Sequence, residues 1–268
     1  MLKTPSVMES REVSKNAASS RAIPVSKMIE DILADPAVPV FWGKNVRGMQ
    51  AREELTGLEL QAAKDNWFMA MEAAIKYATA MTNLLGDDEN PIGTHKQIVN
   101  RILEPFSHIT TLMSATEWDN FLELRLHGDA EPHINLLAQE ISRELDKPAM
   151  QTLQPGDWHT PFAHTDEDLI GAVEPGYQIV KEGKIKLSVS RCASTSYKTV
   201  EGFDMTLERA TAIYDKLVTS KPVHASPCEH VAQADDTIAL LRNEALWMNP
   251  SQHRNFVGFR QHRAMIGA

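Results

Sequence analysis

Cysteine is nearly missing from this chain. Cys192 and Cys228 are the two in 268 residues, too few for a disulfide framework and suited to a reducing compartment. Positive charge is also short, with 27 Lys and Arg against 36 Asp and Glu and a formal net charge of −9. Such a chain lacks the basic field that supports non-specific binding along a phosphate backbone, so nucleic acid is not expected as a partner. A small anion stays open, because it needs only a few well-placed arginines. Apolar runs are short too: none approaches the roughly 18 residues of a membrane span, and Met1-Leu2-Lys3-Thr4-Pro5-Ser6 has no signal-peptide core. With 13 Gly and 14 Pro the chain is neither collagen-like nor low-complexity. Gly-x-Gly-x-x-Gly and Gly-x-x-x-x-Gly-Lys-Ser/Thr do not occur, so no dinucleotide or NTP phosphate loop is visible. His127 and His133, and His159 and His164, miss the i, i+4 spacing of a helical metal pair, and no Cys/His cluster completes a zinc set. What remains, 43% hydrophobic and 24% charged, is ordinary globular composition with chain enough for a sizeable core. These features predict a soluble, cytoplasmic protein.

Patterning divides the chain in three. Residues 1–22 read as a polar tail. Helices are expected after Pro24 (Met28, Ile29, Ile32, Leu33), over about 52–84 (Trp67, Met71, Ala74, Ile75, Ala78), over 94–104, behind Thr116-Glu117-Trp118-Asp119, and over 129–145. Together they make residues 1–146 a helical portion. Residues 147–180, punctuated by Pro148, Pro155-Gly156, Pro161 and Pro175-Gly176, read as a connecting segment, a lid or an interdomain crossing. Residues 181–268 form a strand–helix portion that completes the same domain. Its strand is Ile185-Lys186-Leu187-Ser188-Val189-Ser190, with period-two alternation, and its helix spans 205–219.

Three constellations can carry chemistry. Between Arg11 and Arg21 two guanidinium groups and several hydroxyls fall within eleven residues, the donors that a phosphate monoester needs; the plainer reading is a solvated tail. Arg101 and Arg125 each sit beside an apolar stripe, and a cation so placed requires a partner. That partner is either a carboxylate such as Glu123 or Asp129, or an anionic ligand. Last, Arg191-Cys192-Ala193-Ser194-Thr195-Ser196-Tyr197 and His224-Ala225-Ser226-Pro227-Cys228-Glu229-His230 are polar turns of the kind that contact ligands. Cys228 is either a small buried apolar residue or a nucleophile whose thiol pKa is lowered by His230.

Taken together these segments resemble the flavin-dependent thymidylate synthase family, in a circularly shifted, bacteriophage-type order. The family motif Arg-His-Arg-x-x-Ser-x-Asn-Glu-x-Ser-x-Arg-Tyr is matched by Arg11, Ser14, Asn16, Ser19 and Arg21. Arg101 and Pro105 follow, then Asn120-Phe121-Leu122-Glu123-Leu124-Arg125 and Ala130-Glu131-Pro132-His133-Ile134. The family's N-terminal blocks, Ala-Arg-Val-Ser-(Phe/Tyr) and Thr-Pro-Phe-Glu-His, correspond here to Ala193-Ser194-Thr195-Ser196-Tyr197 and Ser226-Pro227-Cys228-Glu229-His230. Glu9, Ser10, Ala17 and Ala22 depart from the motif, as do Glu131 and His133 where Gln and Glu are usual. Gln261-His262-Arg263, near the other end, resembles the missing lead-in to the triplet.

The resemblance implies an α/β (α+β) fold with a central sheet and long helices. It also implies methylation of dUMP to dTMP by an FAD-dependent thymidylate synthase, with NADPH and methylenetetrahydrofolate as co-substrates. Ser19, Arg21 and Arg101 would hold the phosphate and sugar, and Arg125 would sit catalytically at the pyrimidine. Arg11, Asn16, Asn120, Ser226, Glu229 and Arg263 would contact the cofactor, in a homotetramer located in the host cytoplasm if phage-encoded. Two other functions fit the same residues: transfer of another one-carbon group, such as hydroxymethyl, to a pyrimidine deoxynucleotide, and a non-catalytic nucleotide-binding or assembly role.

Overall fold

A computed structural model describes residues 13–48, 50–86, 91–147, 151–163, 177–196, 205–221, 223–241 and 244–267. The chain mixes helix with small antiparallel sheets. In chain order it runs β1 (Ser14–Ala17), α1 (Val25–Ala34), α2 (Gly57–Thr82), β2 (Leu85–Gly86), β3 (Pro91–Ile92), α3 (Lys96–Leu103), β4 (Thr111–Ser114), α4 (Asp119–Leu126) and α5 (Pro132–Leu145). Then come β5 (Trp158–His159), α6 (Tyr177–Ala193), α7 (Leu207–Thr219), β6 (Ala232–Ala234), β7 (Thr237–Leu241), β8 (Glu244–Trp247), β9 (Phe259–Gln261) and α8 (His262–Met265). Two compact units result, one built from Ala18–Thr110 and Asp119–Lys147, the other from Ser10–Ala17, Thr111–Trp118 and Pro148–Ala268. The segments Ser10–Ala17 and Thr111–Trp118, counted above with the helical portion, therefore belong to the second unit.

The first unit is helical for the reasons the periodicity gives. Met28 and Ile32 of α1, Met71, Ala74 and Ala78 of α2, and Val99 and Leu103 of α3 close on one core with Phe106. Small alanines on α2 allow the neighbouring helices close approach. Trp67 sits at the edge, edge-on to Phe106 at 5.2 Å and donating from Nε1 to Ala37 O at 3.1 Å. α1 ends at Asp35, ahead of Pro36, which disfavours helix in the residue before it. α3 starts where the His95 ring accepts the Gln97 N–H. Pro132 at the first position and the Glu131 carboxylate, accepting from His133 N and Ile134 N, start α5.

In the second unit β1 pairs with β4 (Ser14 opposite Ser114), β5, β6 and β9 form a three-stranded sheet, and β7 and β8 form a hairpin. No single central sheet unites the described strands. The expected strand at 185–190 is part of helix α6. Period-two alternation misled because this helix is buried on several sides: Ile185, Leu187, Ser188, Val189, Ser190 and Cys192 are all inside. Serines are tolerated there because their hydroxyls are satisfied, Ser188 by Pro161 O at 2.6 Å and Ser190 by Ala210 O at 2.7 Å. Of the expected connecting segment, residues 151–163 carry β5, whose Trp158 lies opposite Gln233 of β6, and residues 177–180 are the start of α6. Gly258, at φ +78°, has the Trp247 ring 3.0 Å from where a Cβ would stand, so any side chain there would strain the backbone and press on the ring.

Candidate functional site

The arginines assigned to a nucleotide all lie in the first unit. A 3-10 turn, Ser20–Ala22, carries Arg21 and packs on α3, which carries Arg101. The clamp is Asn100, fully buried on α3, whose amide donates to Ser20 O at 2.7 Å and Ile23 O at 2.9 Å. Ser20 Oγ adds a bond to Glu104 Oε1 at 2.5 Å, and Lys96 Nζ donates to Ala22 O at 2.9 Å. Ser19 precedes the turn, half-buried, its carbonyl accepting from Ala22 N. Arg21 and Arg101 are exposed on these adjoining elements. Arg101 spends only its Nε, on Gln97 O at 3.3 Å.

Arg125 is half-buried in the last turn of α4 and Asn120 exposed in the first. The Asn135 amide of α5 donates to Arg125 O at 2.8 Å, which fixes the end of the helix. The expected carboxylate partners are engaged elsewhere or facing solvent: Asp129 pairs with Arg52 at 3.3 Å, and Glu123 is exposed. Among the described residues Arg21, Arg101 and Arg125 form no ion pair. Glu131 and His133 are spent on local structure. They pair with each other, and His133 Nε2 accepts the Val40 N–H at 3.1 Å.

The residues assigned to the cofactor lie mostly in the second unit, and they are committed. Arg263 and Glu229 form an ion pair with each other. The Asn16 amide donates to Cys192 O at 2.6 Å. Ser226 opens the turn Ser226–Glu229 and is exposed. Arg11 lies outside the described residues. The structure does bring the triplet-like segment onto the motif strand: Gln261, almost fully buried, donates to Ser14 Oγ at 3.0 Å and to Asn255 Oδ1 at 2.7 Å.

Around this junction sits a buried cluster that the sequence did not reveal. His230 is completely enclosed, with Nδ1 3.0 Å from Ser114 Oγ. His262 Nε2 meets Tyr214 Oη at 2.8 Å, its ring stacked on Tyr214 and edge-on to Trp158. Burial, with His159 nearby, lowers the His230 pKa to about 4, and burial alone lowers His262 to about 4, so both are neutral near pH 7. His230 Nε2 and His262 Nδ1 are enclosed and have no hydrogen-bond partner among the described residues. Both thiols are buried. Burial pushes Cys228 and Cys192 up to about 12, and the neutral His230 supplies no charge to lower Cys228. Of the two readings of Cys228, its environment supports the small buried apolar residue.

A second buried knot holds the β7–β8 hairpin base. Asp235 accepts from Asn249 N and Nδ2, both at 2.8 Å, and from His253 Nε2 at 2.9 Å, and these bonds keep its pKa below the ordinary carboxylate value against the opposing effect of burial. Residues 235 and 253 carry no local pattern that announces the pairing. No described helix is long and apolar enough to cross a membrane. No family model, curated protein or solved structure matches the chain.

Proposed function

We propose that the chain binds dUMP through Ser19, Arg21, Arg101 and Arg125 and methylates it to dTMP, as a cytoplasmic homo-oligomer using methylenetetrahydrofolate, FAD and NADPH. The observation that carries this reading is the set of three arginines that form no ion pair among the described residues, two of them on elements locked together by Asn100. A nucleoside monophosphate brings about two negative charges near neutral pH. Arg21 and Arg101 supply forked donors for that phosphate. Arg125, half-buried, is suited to stabilising charge that develops on a pyrimidine ring.

The flavin residues tell a different story. Arg263 is closed by Glu229, and the Asn16 amide is occupied by Cys192. Within the described residues of one chain these groups do not form a flavin cradle, and no step is derived through that cofactor. This observation favours a second reading, a nucleotide-binding protein that does no chemistry.

Titration with dUMP and with deoxyuridine tests the first claim. The phosphate should improve affinity by roughly 10-fold or more; equal affinity for the two sinks the reading. A flavin absorbance spectrum with and without dUMP, and the mass of any product, then separate the synthase from the binding protein and methyl from hydroxymethyl transfer. Colourless protein that FAD cannot reconstitute leaves binding alone.

A further inference from the structure

We infer that the outward face of α2 is a self-association surface, on which a second copy of this chain docks antiparallel. This helix is apolar on two sides. At about 100° per residue, buried Met71, Ala74 and Ala78 fall on one side, while Leu58, Ala62, Met69, Ala73 and Ala80 fall within a sector about 60° wide nearly opposite. All five are exposed, Leu58 at 88% and Met69 at 64%. A surface helix ordinarily carries one apolar stripe, and one that is apolar on both sides is enclosed by a partner.

The occupant is read from the symmetry of the stripe. An antiparallel two-fold pairing centred at the level of Met71 sets Met69 against Ala73, Ala62 against Ala80, and Leu58 against Leu84, which is itself 59% exposed just beyond the helix. The Met69 of each copy meets an alanine, as interdigitated packing requires, and paired alanines let the backbones approach. In a two-fold pair the same flank of each helix meets its copy. Asp65 and Lys76 lie on one flank, both exposed, so Asp65 of one copy comes within one residue of the level of Lys76 of the other, twice. Glu72, further round the helix, stays solvated at the edge. The helix dipoles run opposite ways, which also favours the pairing.

The surface stands on the helix itself and holds whether or not the chain binds dUMP. Sedimentation of the full chain from low to high micromolar concentration should show a dimer or a higher even assembly. Met69→Glu with Ala73→Glu should weaken it on the order of 100-fold, as like charges brought face to face do. Thermal melting should change little, because both side chains are exposed within the chain. Asp65→Lys and Lys76→Asp should each weaken association, and the double variant should restore it. A monomeric wild type, an assembly untouched by the Met69/Ala73 variant, or failure of the charge swap to rescue would each overturn the inference. An intact dimer with no dUMP affinity would leave it standing and remove only the nucleotide reading.

Discussion

The two units treat polar side chains in opposite ways. In the first, Arg21, Arg101 and Arg125 carry charge to half-open or open positions and form no ion pair among the described residues. In the second, His230, His262, Asp235 and the Glu229–Arg263 pair each spend a hydrogen bond within the fold, the two histidines on the Ser114 and Tyr214 hydroxyls. Under the proposed function the open charge is capacity for a ligand, while the enclosed groups hold the fold. Sequence patterns cannot separate the two, since both kinds of residue sit in equally polar surroundings along the chain.

The sharpest way to break this contrast is Arg125→Ala. It should cut dTMP formation by roughly 100-fold or more while thermal unfolding stays close to wild type. An unaffected rate would move Arg125 from the ligand side to the scaffold side. Next in size is acid sensitivity of the second unit. Its two neutral histidines hold pKa values of about 4, below the ordinary 6.5, so the unfolded chain takes up protons first as pH falls. Their contribution is complete above 6.5, drains between 6.5 and about 4, and then levels off. Each ring is worth on the order of 3 kcal/mol across that window. Urea melts should show this loss, and His262→Phe should flatten it; an unchanged slope would mean the ring is not neutral in the fold.

A smaller effect is expected from Arg101→Ala, about 10-fold in dUMP affinity, read by calorimetry at constant salt. The smallest belongs to Cys228→Ala, where turnover should be unchanged and the native thiol should resist alkylation until the chain unfolds. Rapid labelling of folded protein would revive a reactive cysteine.

Much of the helical unit was legible because its helices bury one stripe: Met28 and Ile32, or Met71, Ala74 and Ala78, recur at helical spacing. α6 was not, because burial on several sides erases that periodicity and leaves Ile185, Leu187 and Val189 looking like one face of a strand. The arginines were found by spacing and context, yet the engagement of an expected partner was not: only the structure shows Asp129 turned to Arg52. The histidine cluster was beyond reach for another reason. Ser114 and His230 are 116 residues apart, and Ser14 and Gln261 are 247 apart, so no local window contains both members of either pair.

Under the proposed function, Asn100 puts remote control over ligand affinity inside the protein. One carboxamide holds the backbone on both sides of Arg21, yet it is wholly enclosed and beyond the touch of any solute. Exchange for aspartate would oppose a carboxylate to two carbonyl oxygens and let the turn drift, detuning the anion grip from within while every arginine remained in place.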